Sequence, residues 1–116
     1  RITVRQLLAM SSGLEVPPFG GGPSSLSTQL TFAPDVTAVA LRYRQTSPPD
    51  SVFAYGNANS QLAGAALSRA LGERYARWLS RTIWAPIGAE DASLWLDREG
   101  GSPHYFCCLQ ATARDW

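Results

Sequence analysis

Residues 53 to 72, FAYGNANSQLAGAALSRALG, set the first constraint on the fold. Leu62, Ala63, Ala66, Leu67 and Ala70 recur at helical spacing and predict a buried helix face that stops at Gly72, with Tyr55, Gly56 and Asn57 at the helix mouth. Such a face must be covered, and the rest of the chain offers further helices separated by Gly and Pro. Val4, Leu7 and Leu8 predict a helix over residues 3 to 11, stopped by Ser11, Ser12 and Gly13, with Gly13 suited to a left-handed cap. Pro34 and Asp35 suit a first helical turn, and Val36, Val39, Ala40 and Tyr43 continue that helix over about 34 to 44. Tyr75, Trp78, Leu79, Thr82 and Ile83 predict a fourth helix, ended by Pro86 and Gly88.

The intervening segments read differently. EVPPFGGGPSSLSTQ, residues 15 to 29, has three consecutive glycines and neither helical nor strand period, so it is expected to be a loop. SLWLD and HYFCCL have the length and apolarity of short strands around the turn REGGSP, a small hairpin. Thr112 and Asp115 have the spacing of a capping box that should open a helix, with Asp115 as a capping residue. Cys107 and Cys108 are neighbours. Metal sites separate such pairs by two or more residues and a bond between them closes a strained ring, so two reduced thiols on opposite faces of a strand are expected.

A chain of 116 residues, 45% hydrophobic and 16% charged, suits one domain with one core. Net charge is +1 and the ten basic residues are dispersed, which argues against a nucleic-acid or anionic-membrane partner. No apolar run approaches the roughly 18 to 20 residues that span a bilayer, and RITVRQLL lacks the features of a signal peptide, so the chain is expected to be soluble, its compartment unassigned. Every basic residue except His104 is arginine. Chemistry that needs a lysine is closed to this chain.

From the residues alone, Tyr55 is either a general base or a loop aromatic, and Asn57 or Asn59 is a helix N-cap. Ser12 and Ser24 are tempting nucleophiles, but Ser12 ends a helix and Ser24 sits in the glycine loop without a base at useful spacing. Neither is assigned that role. His104 has no Ser or Cys motif beside it and is expected on the hairpin surface.

ITVRQLLAMSSGL, then FAYGNANSQLAGAALSRALGERYARWLSRTIWAPIGAEDA, then ATARDW together resemble the middle of a serine β-lactamase-like hydrolase. That family includes class C β-lactamases, penicillin-binding DD-peptidases, related esterases and 6-aminohexanoate-dimer hydrolases. The resemblance implies a serine nucleophile in a Ser-x-x-Lys motif, whose lysine shares proton transfer with the tyrosine of Tyr-x-Asn. Tyr55 is then the general acid/base, and Asn57 binds the substrate amide and helps to fix the lysine. A serine hydroxyl is a weak nucleophile, and a nearby base must take its proton as it attacks an acyl carbon. Gly56 departs from the residues more common between the two and would leave the loop more mobile.

The departures are large, because Ser-x-x-Lys is absent and no later Lys-Thr-Gly or His-x-Gly strand follows. The expectation is a mainly α fold with a minor β-hairpin: the helical subdomain of a β-lactamase-like α/β fold, residues 1–116 being a partial domain truncated at both ends. It would form one wall of the cleft of a hydrolase cleaving amides, esters or β-lactams through an acyl-enzyme, without metal or cofactor. The isolated chain would be inactive and would self-associate through uncovered apolar surface, with Trp78, Trp84, Trp95 and Trp116 contributing. The alternative is a non-catalytic helical interaction module.

Overall fold

The computed structural model describes residues 1–18 and 20–116; Phe19, within the expected glycine loop, lies outside the described residues. Helix α4 (Asn57–Leu71) is the central element, with α1 (Val4–Leu8), α2 (Leu26–Phe32) and α3 (Val36–Ala40) gathered about its N-terminal half. Helix α5 (Tyr75–Leu79) follows and runs into a π-helical turn, Ser80–Trp84. Strands β1 (Ala92–Leu94) and β2 (Leu109–Ala111) pair antiparallel, with Ala92 opposite Ala111 and Leu94 opposite Leu109. None of the described helices is long and apolar enough to cross a membrane.

Local chemistry explains where the short helices begin. Thr3 caps α1, its side chain accepting from Gln6 N while the Gln6 side chain accepts from Thr3 N, so two orphan donors are satisfied reciprocally. Ser25 caps α2 by accepting from Thr28 N, and a helix therefore opens inside what reads as a loop. The glycines masked that signal. Asp35 caps α3 by accepting from Ala38 N at 2.9 Å, so Pro34 precedes the cap rather than entering the first turn.

The expected helices over 3–11 and 34–44 are thus shorter than their apolar patterns. The chain leaves helix at Met10 (φ 54), and Gly13, although left-handed (φ 78), lies well past the end of α1. There the Gly13 carbonyl accepts from Thr46 N at 2.8 Å, beside an isolated bridge between Leu14 and Gln45. The helix itself ends in a local cap, with Met10 left-handed, Met10 N donating to Leu7 O at 3.1 Å and Ser11 N to Gln6 O at 2.9 Å.

Two apolar clusters make the core. Leu30, Val39, Ala40 and Ala58 form one, and Leu7, Leu14 and Ala63 the other, with Tyr43 and Leu62 packed against both. The stripe Val36, Val39, Ala40 is buried as its spacing predicts. On α4 the pattern misleads: Ala66, Leu67 and Ala70 are exposed, whereas Asn59 and Gln61 are buried. The far half of α4 runs beyond α1 to α3, and its covered face carries Gln61, Gly64 and Ser68, which meet the hairpin loop. Gln61 Nε2 donates to Thr37 Oγ1 and to the Pro103 carbonyl, both at 3.1 Å, and Oε1 accepts from Tyr105 N at 3.0 Å. Tyr105 also lies edge-on to Tyr75 with ring centroids 5.1 Å apart, which docks α5.

The hairpin exists, but its strands sit farther from the turn than SLWLD and HYFCCL suggest. Residues 104 to 108 leave the ladder for two reasons. His104 is buried, not a surface residue: Nδ1 and Nε2 lie 3.2 and 3.0 Å from the carbonyl oxygens of Trp95 and Thr31. Its ring stacks on Trp95 at 4.9 Å. Cys107 and Cys108 are joined as a disulfide, with Cys108 at φ 72, which corrects the expectation of reduced thiols on a strand. At the end of the described chain Thr112 Oγ1 donates to Asp115 Oδ2 at 2.9 Å, but no helix opens there. Asp115 instead accepts from Glu90 N and Asp91 N, and these bonds, led by that from Glu90, hold its carboxyl below the usual range.

Gly64 offers a test of this packing. An exposed helical glycine replaced by alanine should stabilise by about 1 kcal/mol. A Cβ at Gly64, however, would come within 2.1 Å of Tyr105 Cγ and 2.4 Å of its Cβ. We predict that Gly64→Ala destabilises instead, by about 1 to 3 kcal/mol, the usual scale of overpacking, read from urea midpoints. A midpoint at or above that of the unaltered protein would refute the Gly64–Tyr105 contact.

Candidate functional site

Tyr55 stands on a short connector that is tied down just ahead of it. Asp50 accepts from Gln6 Nε2 at 2.6 Å and from Ser11 Oγ at 2.8 Å, and these bonds, Gln6 first, draw its carboxyl below the usual range. Asp50 N donates to Ser11 O and Ala54 N to Met10 O, each at 2.8 Å, so the backbone one residue before Tyr55 is pinned to the end of α1. The Tyr55 side chain itself is 66% exposed.

Gly56 is the N-cap of α4 without a side-chain cap, and its backbone is extended (φ −154). Its small size matters for space: a Cβ there would approach Val16 Cγ2 to 3.2 Å and Asn59 Nδ2 to 3.4 Å. Asn57 is therefore the first helical residue rather than the cap, and Asn59 is buried within the first turns. Ser12 Oγ donates to Asn59 Oδ1 at 2.5 Å and accepts from Leu14 N at 3.2 Å. Ser12 and both partners are buried, so Ser12 locks α4 to the chain after α1. Ser24 is exposed, and its carbonyl accepts from Gln29 Nε2 at 3.0 Å.

Two recesses meet at Tyr55. The first is bounded by Glu15, Val16, Leu30 and Tyr43 together with Tyr55 and Asn57. The second, an open recess of about 580 Å³, is bounded by Thr28, Phe32, Phe106 and Cys107, again with Tyr55 and Asn57. Tyr55 and Asn57, singled out by the sequence, thus share both recesses, while Ser12, Ser24 and His104 border neither. Burial, and then the Glu15 carboxylate, push the Tyr43 hydroxyl above its ordinary range, which keeps it a neutral phenol beside the first recess.

Sequence reasoning missed Ser27, which reaches both recesses from α2. Its hydroxyl lies 3.1 Å from the Pro18 carbonyl and 3.3 Å from that of Gly20, so it steadies the glycine segment. Phe32, Phe106 and Cys107 were also missed as recess walls. Their placement follows from the buried His104 and the broken ladder, which no local pattern announces.

Among curated protein sequences none matches the chain. Seven solved chains match its structure. One is a putative 6-aminohexanoate-dimer hydrolase from Bacillus anthracis, with a TM-score of 0.81 and 25% identity over 98% of this chain. The chain spans 34% of the length of that protein. The family model described as Beta-lactamase matches residues 1–107, nearly the whole sequence, and the chain belongs to the β-lactamase family.

Proposed function

We propose that the chain is the helical cleft wall of a serine hydrolase that cleaves amide or ester bonds through an acyl-enzyme. Tyr55 is the general acid/base and Asn57 the side chain that holds the substrate amide. The observation that carries this reading is the shared recess: Tyr55 and Asn57 border the same open space at the N-terminus of α4, and Tyr55 projects into solvent rather than into the core.

The remaining parts of the reaction would come from outside these 116 residues. The chain has no lysine to pair with a catalytic serine, and it spans a third of its structural neighbour. In the full-length protein a serine hydroxyl would attack the acyl carbon as its proton passes to the Tyr55 oxygen and the Tyr55 proton passes to the lysine. Tyr55 would then return the proton to the leaving amine or alcohol.

Three measurements test this reading. Tyr55→Phe in the full-length protein removes the hydroxyl and little volume, so acylation should slow roughly 100-fold or more while the fold persists. Full activity in that variant would sink the role assigned to Tyr55. The 116-residue chain alone, incubated with a β-lactam or an activated ester, should show no turnover and no covalent adduct by intact mass. A stoichiometric adduct on a serine would place the nucleophile within this chain.

Sedimentation equilibrium gives the third. Phe32, Leu41, Phe53 and Trp116 are each more than 70% exposed. At about 25 cal/mol per Å² removed from water, such surface drives association. The isolated chain at micromolar concentration should therefore exceed its 12.5 kDa monomer mass. A strict monomer would favour an independent interaction module.

A further inference from the structure

The hydrolytic reading leaves the Cys107–Cys108 pair unused. Its two sulfurs are bonded, Cys107 is exposed, and Cys107 lines the larger recess together with Tyr55, Asn57, Phe32 and Phe106. The bond also interrupts the hairpin. Continuing the register that ends at Leu94 and Leu109 would next pair Trp95 with Cys108, and neighbouring side chains on a strand project to opposite faces. Sulfurs on opposite faces cannot bond.

Cys108 instead adopts φ 72, a region that non-glycine residues seldom occupy. The ladder stops at Leu109 and resumes as the single bridge between Leu96 and Pro103. Trp95 N still donates to Cys108 O at 3.4 Å while Trp95 O accepts from His104 N at 3.0 Å, so a longer hairpin requires Trp95 O to exchange His104 N for Cys108 N.

We propose that Cys107–Cys108 is a thiol–disulfide exchange site for a dithiol reductant, and that opening it remodels the recess wall shared with Tyr55. One thiolate of the reductant attacks the exposed Cys107 sulfur. The sulfur–sulfur bond breaks, and its electron pair leaves on the Cys108 sulfur, which takes up a proton. The second thiolate of the reductant then attacks the reductant's own sulfur in the mixed disulfide, releasing Cys107, which takes up the second proton. The reductant departs as a cyclic disulfide, and the protein has gained two electrons and two protons.

With the ring open, Cys108 leaves the left-handed region and pairs with Trp95. Cys107 turns to the opposite face, and Phe106 moves with it. The recess loses one wall in the reduced state and regains it on oxidation. The exchange needs no hydrolysis, so it stands or falls apart from the role of Tyr55.

The test uses the chain purified without reductant. Iodoacetamide under denaturing conditions should add nothing to the intact mass before treatment with dithiothreitol and two carbamidomethyl groups after it. In two-dimensional amide spectra, reduction should shift Cys108 and the recess residues Thr28, Phe32 and Asn57 while leaving α1 in place. A double variant, Cys107→Ser with Cys108→Ser, should give the reduced spectrum without dithiothreitol and ignore its addition. If that variant does not fold, the spectra of the unaltered chain with and without dithiothreitol decide alone. Alkylation of both cysteines without reductant, or recess amides that stay put on reduction, would overturn the proposal.

Discussion

One buried amide organises this structure. Gln61 is fully shielded, and its three hydrogen bonds join α4 to α3 and to two points on the segment after the hairpin turn. A buried amide left unpaired costs about 1 to 3 kcal/mol, so these segments hold their positions together or not at all. Gln61 lies one helical turn beyond Asn57 on the same face of α4, and the segment it grips, Pro103 to Tyr105, runs directly into Phe106 and Cys107. The same side chain therefore sets both the helix that carries Asn57 and the recess wall that faces it.

Much of this was legible in the sequence where an element is governed by its own residues. The helix beginning at Asn57 and ending at Gly72 appears as expected, and the Val36, Val39, Ala40 stripe is buried. The hairpin is present, displaced outward. Tyr55 and Asn57 lie beside the same recess, and the family match covers two of the three segments that carried the resemblance, ending before ATARDW.

What stayed hidden was non-local. The burial of Ser12, Asn59, Gln61 and His104 depends on partners between 24 and 73 residues away, and polar residues carry no apolar period to mark them. The α2 cap at Ser25 was obscured by the glycines before it, and the exposed half of α4 by an alanine-rich pattern that has nothing to cover it. The cysteine pair failed for another reason. Strand alternation does not hold over a segment that leaves the ladder at the buried His104 and the bonded cysteines.

The contact between His104 and the Thr31 carbonyl bears on how the molecule assembles. It closes a loop of 73 residues, whereas the N-caps and turns of α1 to α3 close within a few positions. Loop-closure entropy rises with the logarithm of length and is met before the contact repays it, so long-range contacts of this kind form late. Phe32 comes from one side of that closure and Phe106 from the other. The larger recess is thus complete only once that closure has formed, and opening the one contact between His104 and Thr31 would part its two aromatic walls.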